Sequence, residues 1–92
     1  MVRLSSNATN MSYMFWNYQV LTTIPLFDTS STINMSQMFW GCNKVESGAL
    51  ALYQQASSQA NPPTNHSQTF RNCGSNTTTG AAELAQIPSG WK

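Results

Sequence analysis

One phrase is written three times in this chain. Asn10-Met11-Ser12-Tyr13-Met14-Phe15-Trp16 returns as Asn34-Met35-Ser36-Gln37-Met38-Phe39-Trp40. A weaker copy, Asn65-His66-Ser67-Gln68-Thr69-Phe70-Arg71-Asn72-Cys73, aligns at its end with Phe39-Trp40-Gly41-Cys42. The offsets are about 24 and about 31 residues, within the range of stacked repeat units. A unit of that size cannot bury its apolar face alone. It must lie on a neighbour, so equivalent side chains are expected to line up as ladders.

Composition narrows what such a stack can do. The chain has 92 residues, enough for one small domain with a core that is only just sufficient. Only 8% of residues are charged, and Ser, Thr, Asn and Gln make up about two-fifths, a surface typical of extracellular solenoids. Disorder is excluded by a hydrophobic content of 40% and an aromatic content of 11%. The net charge of +1 and the scattered Arg3, Lys44, Arg71 and Lys92 argue against a nucleic-acid partner, which needs clustered cations. No apolar run is long enough to span a bilayer, and the N-terminus lacks the apolar core of a signal peptide.

Leu21-Thr22-Thr23-Ile24-Pro25-Leu26-Phe27 reads as a short strand ending near Pro25, and Asp28-Thr29-Ser30-Ser31 as a turn. Residues 47–59 read as a helix with Ser47 as N-cap and an apolar face of Leu50, Leu52, Tyr53 and Ala56, stopped by Asn61-Pro62-Pro63. This helix absorbs the extra length of the second unit. A second helix is expected from Thr79 to Gln86, with Glu83 in its first turn, and Trp91 completes a terminal cap. The expected fold class is therefore an α+β repeat solenoid of about three coils, with a helical insert and a helical C-terminal cap. It forms a single domain, 1–92, with units at about 2–25, 26–56 and 57–79 and a cap at 80–92. Aligning Val2–Met11 with Leu26–Met35 starts the chain inside a repeat, which leaves Val2, Leu4 and the first strand uncovered. Self-association through residues 2–27 is the expected consequence.

The phrase Asn-Met-Ser-x-Met-Phe-x-Gly-Cys, with Leu21-Thr22-Thr23-Ile24-Pro25-Leu26-Phe27-Asp28-Thr29-Ser30, resembles the BspA-type leucine-rich repeat. That family occurs in surface proteins of Bacteroides and other gut bacteria and in mycoplasma surface lipoproteins. The likeness covers residues 2–47 and part of 64–74, and the tail resembles gut bacterial or prophage proteins of this group. Tyr18 stands where the phrase has its first Cys, and His66 and Thr69 stand at Met positions. The resemblance implies a leucine-rich-repeat-like, right-handed solenoid with roles in adhesion and surface binding and no enzymatic activity.

Five sets of residues recur in phase. Phe15, Phe39 and Phe70 are expected to form a buried ladder, and Asn10, Asn34 and Asn65 an asparagine ladder at a tight turn. Those three asparagines also begin Asn-x-Ser sequons, joined by sequons at Asn7 and Asn76. Cys42 and Cys73 are equivalent and read as small buried thiols, with a disulfide as the alternative. Zinc is not implied: His66 with two cysteines matches no finger spacing and lacks a fourth ligand. Tyr13, Gln37 and Gln68 share one phase, and Trp16, Trp40 and Arg71 another. Facing outward they would form a ligand-binding stripe with Arg71 stacked on Trp40; facing each other, the tryptophans would be structural. Asp28, Glu46 and Glu83 are the only acids and fall in different phases, so no catalytic set and no cofactor are implied. The expected function is a non-enzymatic binding or adhesion module of a bacterial surface protein, recognising a protein or glycan. The alternative is an assembly module of a phage or prophage tail fibre, stacking through its open N-terminal edge.

Overall fold

The computed structural model describes residues 9–92. Val2, Leu4, the Asn7 sequon and the start of the first unit lie outside the described residues. Within them are two α-helices, α1 (Ala49–Ser58) and α2 (Thr78–Ala85), and a 3-10 helix, Ser89–Trp91. No strand occurs among the described residues. Parallel pairing is confined to three isolated bridges: Asn10 with Asn34, Asn34 with Asn65, and Thr23 with Ser47. This corrects the expected α+β solenoid of three coils, because the described residues form no sheet on which to build one.

The expected strand at residues 21–27 fails for a local reason. Glu46 N–H donates to the Thr22 carbonyl (2.7 Å) and Ile24 N–H to the Ser47 carbonyl (3.0 Å). Pairing then stops. Pro25 has no N–H to offer, and Gly48, at φ 103°, turns the neighbouring segment into α1.

Turns stack in place of strands. In the first turn the N–H groups of Met14, Trp16 and Tyr18 bond carbonyls three residues back, within the turn. The alternate N–H groups point to the next turn. Met11 donates to Asn34 (2.8 Å), Tyr13 to Ser36 (3.1 Å) and Phe15 to Met38 (2.9 Å). The second turn repeats this on the third, Met35 donating to Asn65 (2.7 Å), Gln37 to Ser67 (3.0 Å), Phe39 to Thr69 (2.9 Å) and Gly41 to Arg71 (2.9 Å). Alternation of this kind needs left-handed residues at fixed places. Tyr13, Gln37 and Gln68 have φ of 61°, 55° and 57°, and Asn17, Gly41 and Asn72 have φ of 55°, 76° and 57°. Asn and Gly tolerate that region, whereas Tyr and Gln are held there at roughly 1–2 kcal/mol each, offset by the bonds between turns.

The helices close the open side of the stack. α1 starts at Ala49 rather than Ser47, with Gly48 in the N-cap position and no side-chain cap. Its cap comes from the other helix: Glu83 Oε1 accepts from Leu50 N–H at 3.2 Å, setting a carboxylate at the positive end of α1. This corrects the expectation that Glu83 sits in the first turn of its own helix, since α2 begins at Thr78. α2 is instead capped by Thr77, whose Oγ1 accepts from Gly80 N–H at 2.9 Å. Ala49, Leu52 and Ala56 of α1 are buried in the common core with Met35, Phe39 and Phe70, while Leu50 and Tyr53 pack at its margin. The far end of α1 is tied to the 27–29 loop. Gln59 Nε2 donates to the Thr29 carbonyl at 2.8 Å, and Thr29 Oγ1 donates to Gln59 Oε1 at 2.9 Å.

Trp91 finishes the stack. Its ring lies over His66 (centroids 4.1 Å, 5°) and beside Phe70 (6.4 Å), with Tyr53 against its edge at 5.3 Å. Its carbonyl accepts Phe70 N–H at 2.8 Å, where the next turn would otherwise accept. His66 Nδ1 donates to the Gly90 carbonyl at 2.8 Å and holds this cover in place.

Candidate functional site

The structure brings the phenylalanines into one column. Phe15 and Phe39 are stacked at 5.3 Å and 3°, and Phe39 and Phe70 at 5.7 Å and 4°. Phe39 and Phe70 are fully buried, and Phe15 is half-buried at the end of the column. Asn10, Asn34 and Asn65 pair in series through their backbones. Asn10 Oδ1 accepts from Ser12 N–H (3.0 Å), and Asn34 Oδ1 accepts from Ser36 N–H (2.9 Å). The side-chain oxygen thus completes the tight turn where the next backbone bond cannot.

Cys42 and Cys73 are free thiols, both fully buried. Cys42 Sγ donates to the Phe15 carbonyl at 3.0 Å. Burial pushes both thiols above the ordinary value of 9.0, and for Cys73 the neighbouring Cys42 and Glu83 push further. Native protein is therefore expected to resist alkylation at mildly alkaline pH, and unfolding without reductant to release both thiols. A native mass two protons light, with no alkylation until reduction, would contradict this. The same shift fixes a pH dependence. Above pH 9.0 the unfolded chain ionises these thiols while the folded chain keeps them protonated. The stability they contribute is present below that pH and lost above it, and a Cys42→Ala/Cys73→Ala variant should lose less of its own stability over that range.

The two outward-facing sets separate. Trp16 and Trp40 stack face to face at 4.9 Å and 7°. Arg71 does not continue the stack; no Arg71–Trp40 pair occurs among the described residues. Arg71 instead lines a shallow cleft of about 550 Å³ with Asn72, Leu84 and Lys92. Lys92 Nζ is held there by the Leu84 carbonyl at 2.8 Å. Tyr13 is exposed, while Gln37 and Gln68 are half-buried, so this phase supplies one aromatic group to the surface rather than a stripe.

The exposed aromatic groups gather on the first turn. Tyr13, Met14, Trp16, Tyr18 and Val20 are all exposed, and residues 13–18 line a cleft of about 400 Å³. Met14 shows how much position matters. It is 42% exposed, whereas its equivalent Met38 is 0% exposed. The same residue in the same phase is core in one turn and surface in the other, because among the described residues no turn lies on the first. Sequence reasoning named Tyr13 and Trp16 but missed Met14, Tyr18 and Val20. Their signal was available in the edge position of the first copy, not in residue type.

The groups that catalysis would need are dispersed. Asp28 accepts from Ser30 N–H and Oγ, which holds its carboxyl below the ordinary range. Glu83 serves the α1 terminus and His66 lies under Trp91. Among the described residues no cluster of three His, Cys, Asp or Glu could hold a metal ion, and no helix is long and apolar enough to cross a membrane. No family model matches the chain, and neither the curated proteins nor the solved structures give a match.

Proposed function

We propose that this protein is a non-enzymatic binding module whose ligand docks on the first turn, against Tyr13, Met14, Trp16 and Tyr18. One observation carries this reading: five large apolar side chains between residues 13 and 20 are exposed together, while Met38 and Cys42, the counterparts of Met14 and Tyr18, are buried. Trp and Tyr are the residues that most often anchor interfaces, since each offers a large rigid face with a polar edge. Trp16 gives one face to Trp40 and keeps the other for a ligand. The low charge of the chain suits recognition by stacking and hydrogen bonding rather than by field. The likeness of the phrase to BspA-type repeats favours a bacterial cell-surface or virion setting and a protein or glycan as ligand.

The test is capture by immobilised ligands. Wild-type protein is passed over an array of surface glycans and a panel of host extracellular proteins, alongside Tyr13→Ala/Trp16→Ala. Both positions are exposed, so the variant is expected to fold with unchanged circular dichroism and to lose capture at least about tenfold, the effect of a small hot spot. Capture that survives in the double variant would contradict the reading, as would no capture of any ligand at micromolar concentration.

A further inference from the structure

The first turn carries a hydrogen-bonding pattern as well as an apolar face. In the second turn the carbonyls of Asn34, Ser36, Met38 and Trp40 each accept an N–H from the first turn. In the third turn Asn65, Ser67, Thr69 and Arg71 do the same for the second. The equivalent carbonyls of the first turn, at Asn10, Ser12, Met14 and Trp16, have no donor among the described residues. Four acceptors at alternate residues therefore line the same edge that exposes Met14 and Trp16. Turns in this protein already show what such an edge takes.

Resting on the binding face proposed above, we infer that the partner is a protein segment folded as another turn of the Asn-Met-Ser-x-Met-Phe-Trp kind, docking with its row of N–H donors. Its central aromatic ring would lie on Phe15 as Phe15 lies on Phe39 (5.3 Å), and its next residue on Trp16 as Trp16 lies on Trp40 (4.9 Å). A second copy of this chain does not fit. Two first turns facing each other set acceptors against acceptors. Head-to-tail contact needs the donor side of the third turn, where Phe70 N–H is already taken by the Trp91 carbonyl and the Trp91 ring covers His66 and Phe70. The partner is a turn whose donor side has no such cover.

The experiment supplies that turn in the same chain, where tethering makes up for weak affinity. A second copy of residues 10–33, one full period, is inserted ahead of Asn10. The NMR signal of the Met14 methyl is followed with a soluble paramagnetic agent. Its relaxation is expected to fall to the level of the Met38 methyl, with a single unfolding transition at higher denaturant than wild type. A control insert with proline at its copies of Met11 and Phe15, donor positions outside the left-handed region, removes two donors and should leave Met14 as accessible as in wild type. Equal protection by both inserts, or none by the intact one, would overturn the inference. So would light scattering that shows wild-type protein dimerising through this face. If Met14 stays accessible while Tyr13→Ala/Trp16→Ala still abolishes ligand capture, the donor-row partner is rejected and the binding face stands.

Discussion

Phe39→Ala is expected to cost about 3–5 kcal/mol, the range for removing a fully buried aromatic ring from a packed interior. Phe39 has rings on both sides, Phe15 at 5.3 Å and Phe70 at 5.7 Å, and Phe27 beside it at 6.5 Å. Truncation therefore opens a gap in the middle of the column. The turns cannot close over it without breaking the bonds from Phe15 N–H to Met38 and from Phe39 N–H to Thr69. A small domain holds only about 5–15 kcal/mol in all, so the variant should be partly unfolded near room temperature. Phe15→Ala, at the half-buried end of the column, should cost less. A chemical melt in which Phe39→Ala loses under about 1 kcal/mol would contradict the stacked column.

Gly48→Ala is the second large effect, and it works through the backbone. Gly48 has φ 103°, a conformation that costs an L-residue about 1–3 kcal/mol. A Cβ there would stand 2.2 Å from the Ile24 carbonyl oxygen and 2.9 Å from the Ile24 nitrogen. Both are main-chain atoms, so relief requires moving the 22–24 segment away from Glu46 and Ser47. The bond from Ile24 N–H to the Ser47 carbonyl would be lost, and the start of α1 with it. Strain and displacement together should reach about 3 kcal/mol or more. Gly41→Ala is the comparison. Its Cβ would meet the tip of the Asn17 side chain at 2.9 Å, which can swing aside, so the cost should stay near the φ strain alone. Equal losses for the two variants in denaturant melts would show that the Ile24 contact is not what constrains Gly48.

Phase was legible in the sequence, but geometry only in part. Residues 24 and then 31 apart do lie on one another: the Phe15–Phe39–Phe70 column and the Asn10–Asn34–Asn65 pairing follow from counting alone. The longer second offset is taken up by α1, as its helix-forming composition implied. The strand at residues 21–27 was misread because Thr and Ile suit a pleated surface only where a pairing partner continues, and here the partner becomes a helix after Gly48. Ser47 looked like an N-cap, but the left-handed Gly48 took that place and Glu83 supplied the cap from a distance no local pattern reveals. The left-handed positions were half visible. Asn17, Gly41 and Asn72 are residues that favour that region, whereas Tyr13, Gln37 and Gln68 give no such sign. For the site, residue type pointed to Tyr13 and Trp16. It also allowed Arg71 to stack on Trp40 if both faced outward, whereas Arg71 lines the cleft beside Leu84 and Lys92.

Amide hydrogen exchange tests the stack of turns most directly, because it separates equivalent residues that differ only in whether a turn lies beneath them. Gln37 and Gly41 N–H groups donate to Ser67 and Arg71, while the equivalent groups of Gln68 and Asn72 have no acceptor among the described residues. Exchange of Gln37 and Gly41 is predicted to be slow, close to the global unfolding limit, and that of Gln68 and Asn72 fast. Gln37 and Gly41 exchanging as fast as Gln68 and Asn72 would contradict the stack, and with it the open first turn on which the binding face depends.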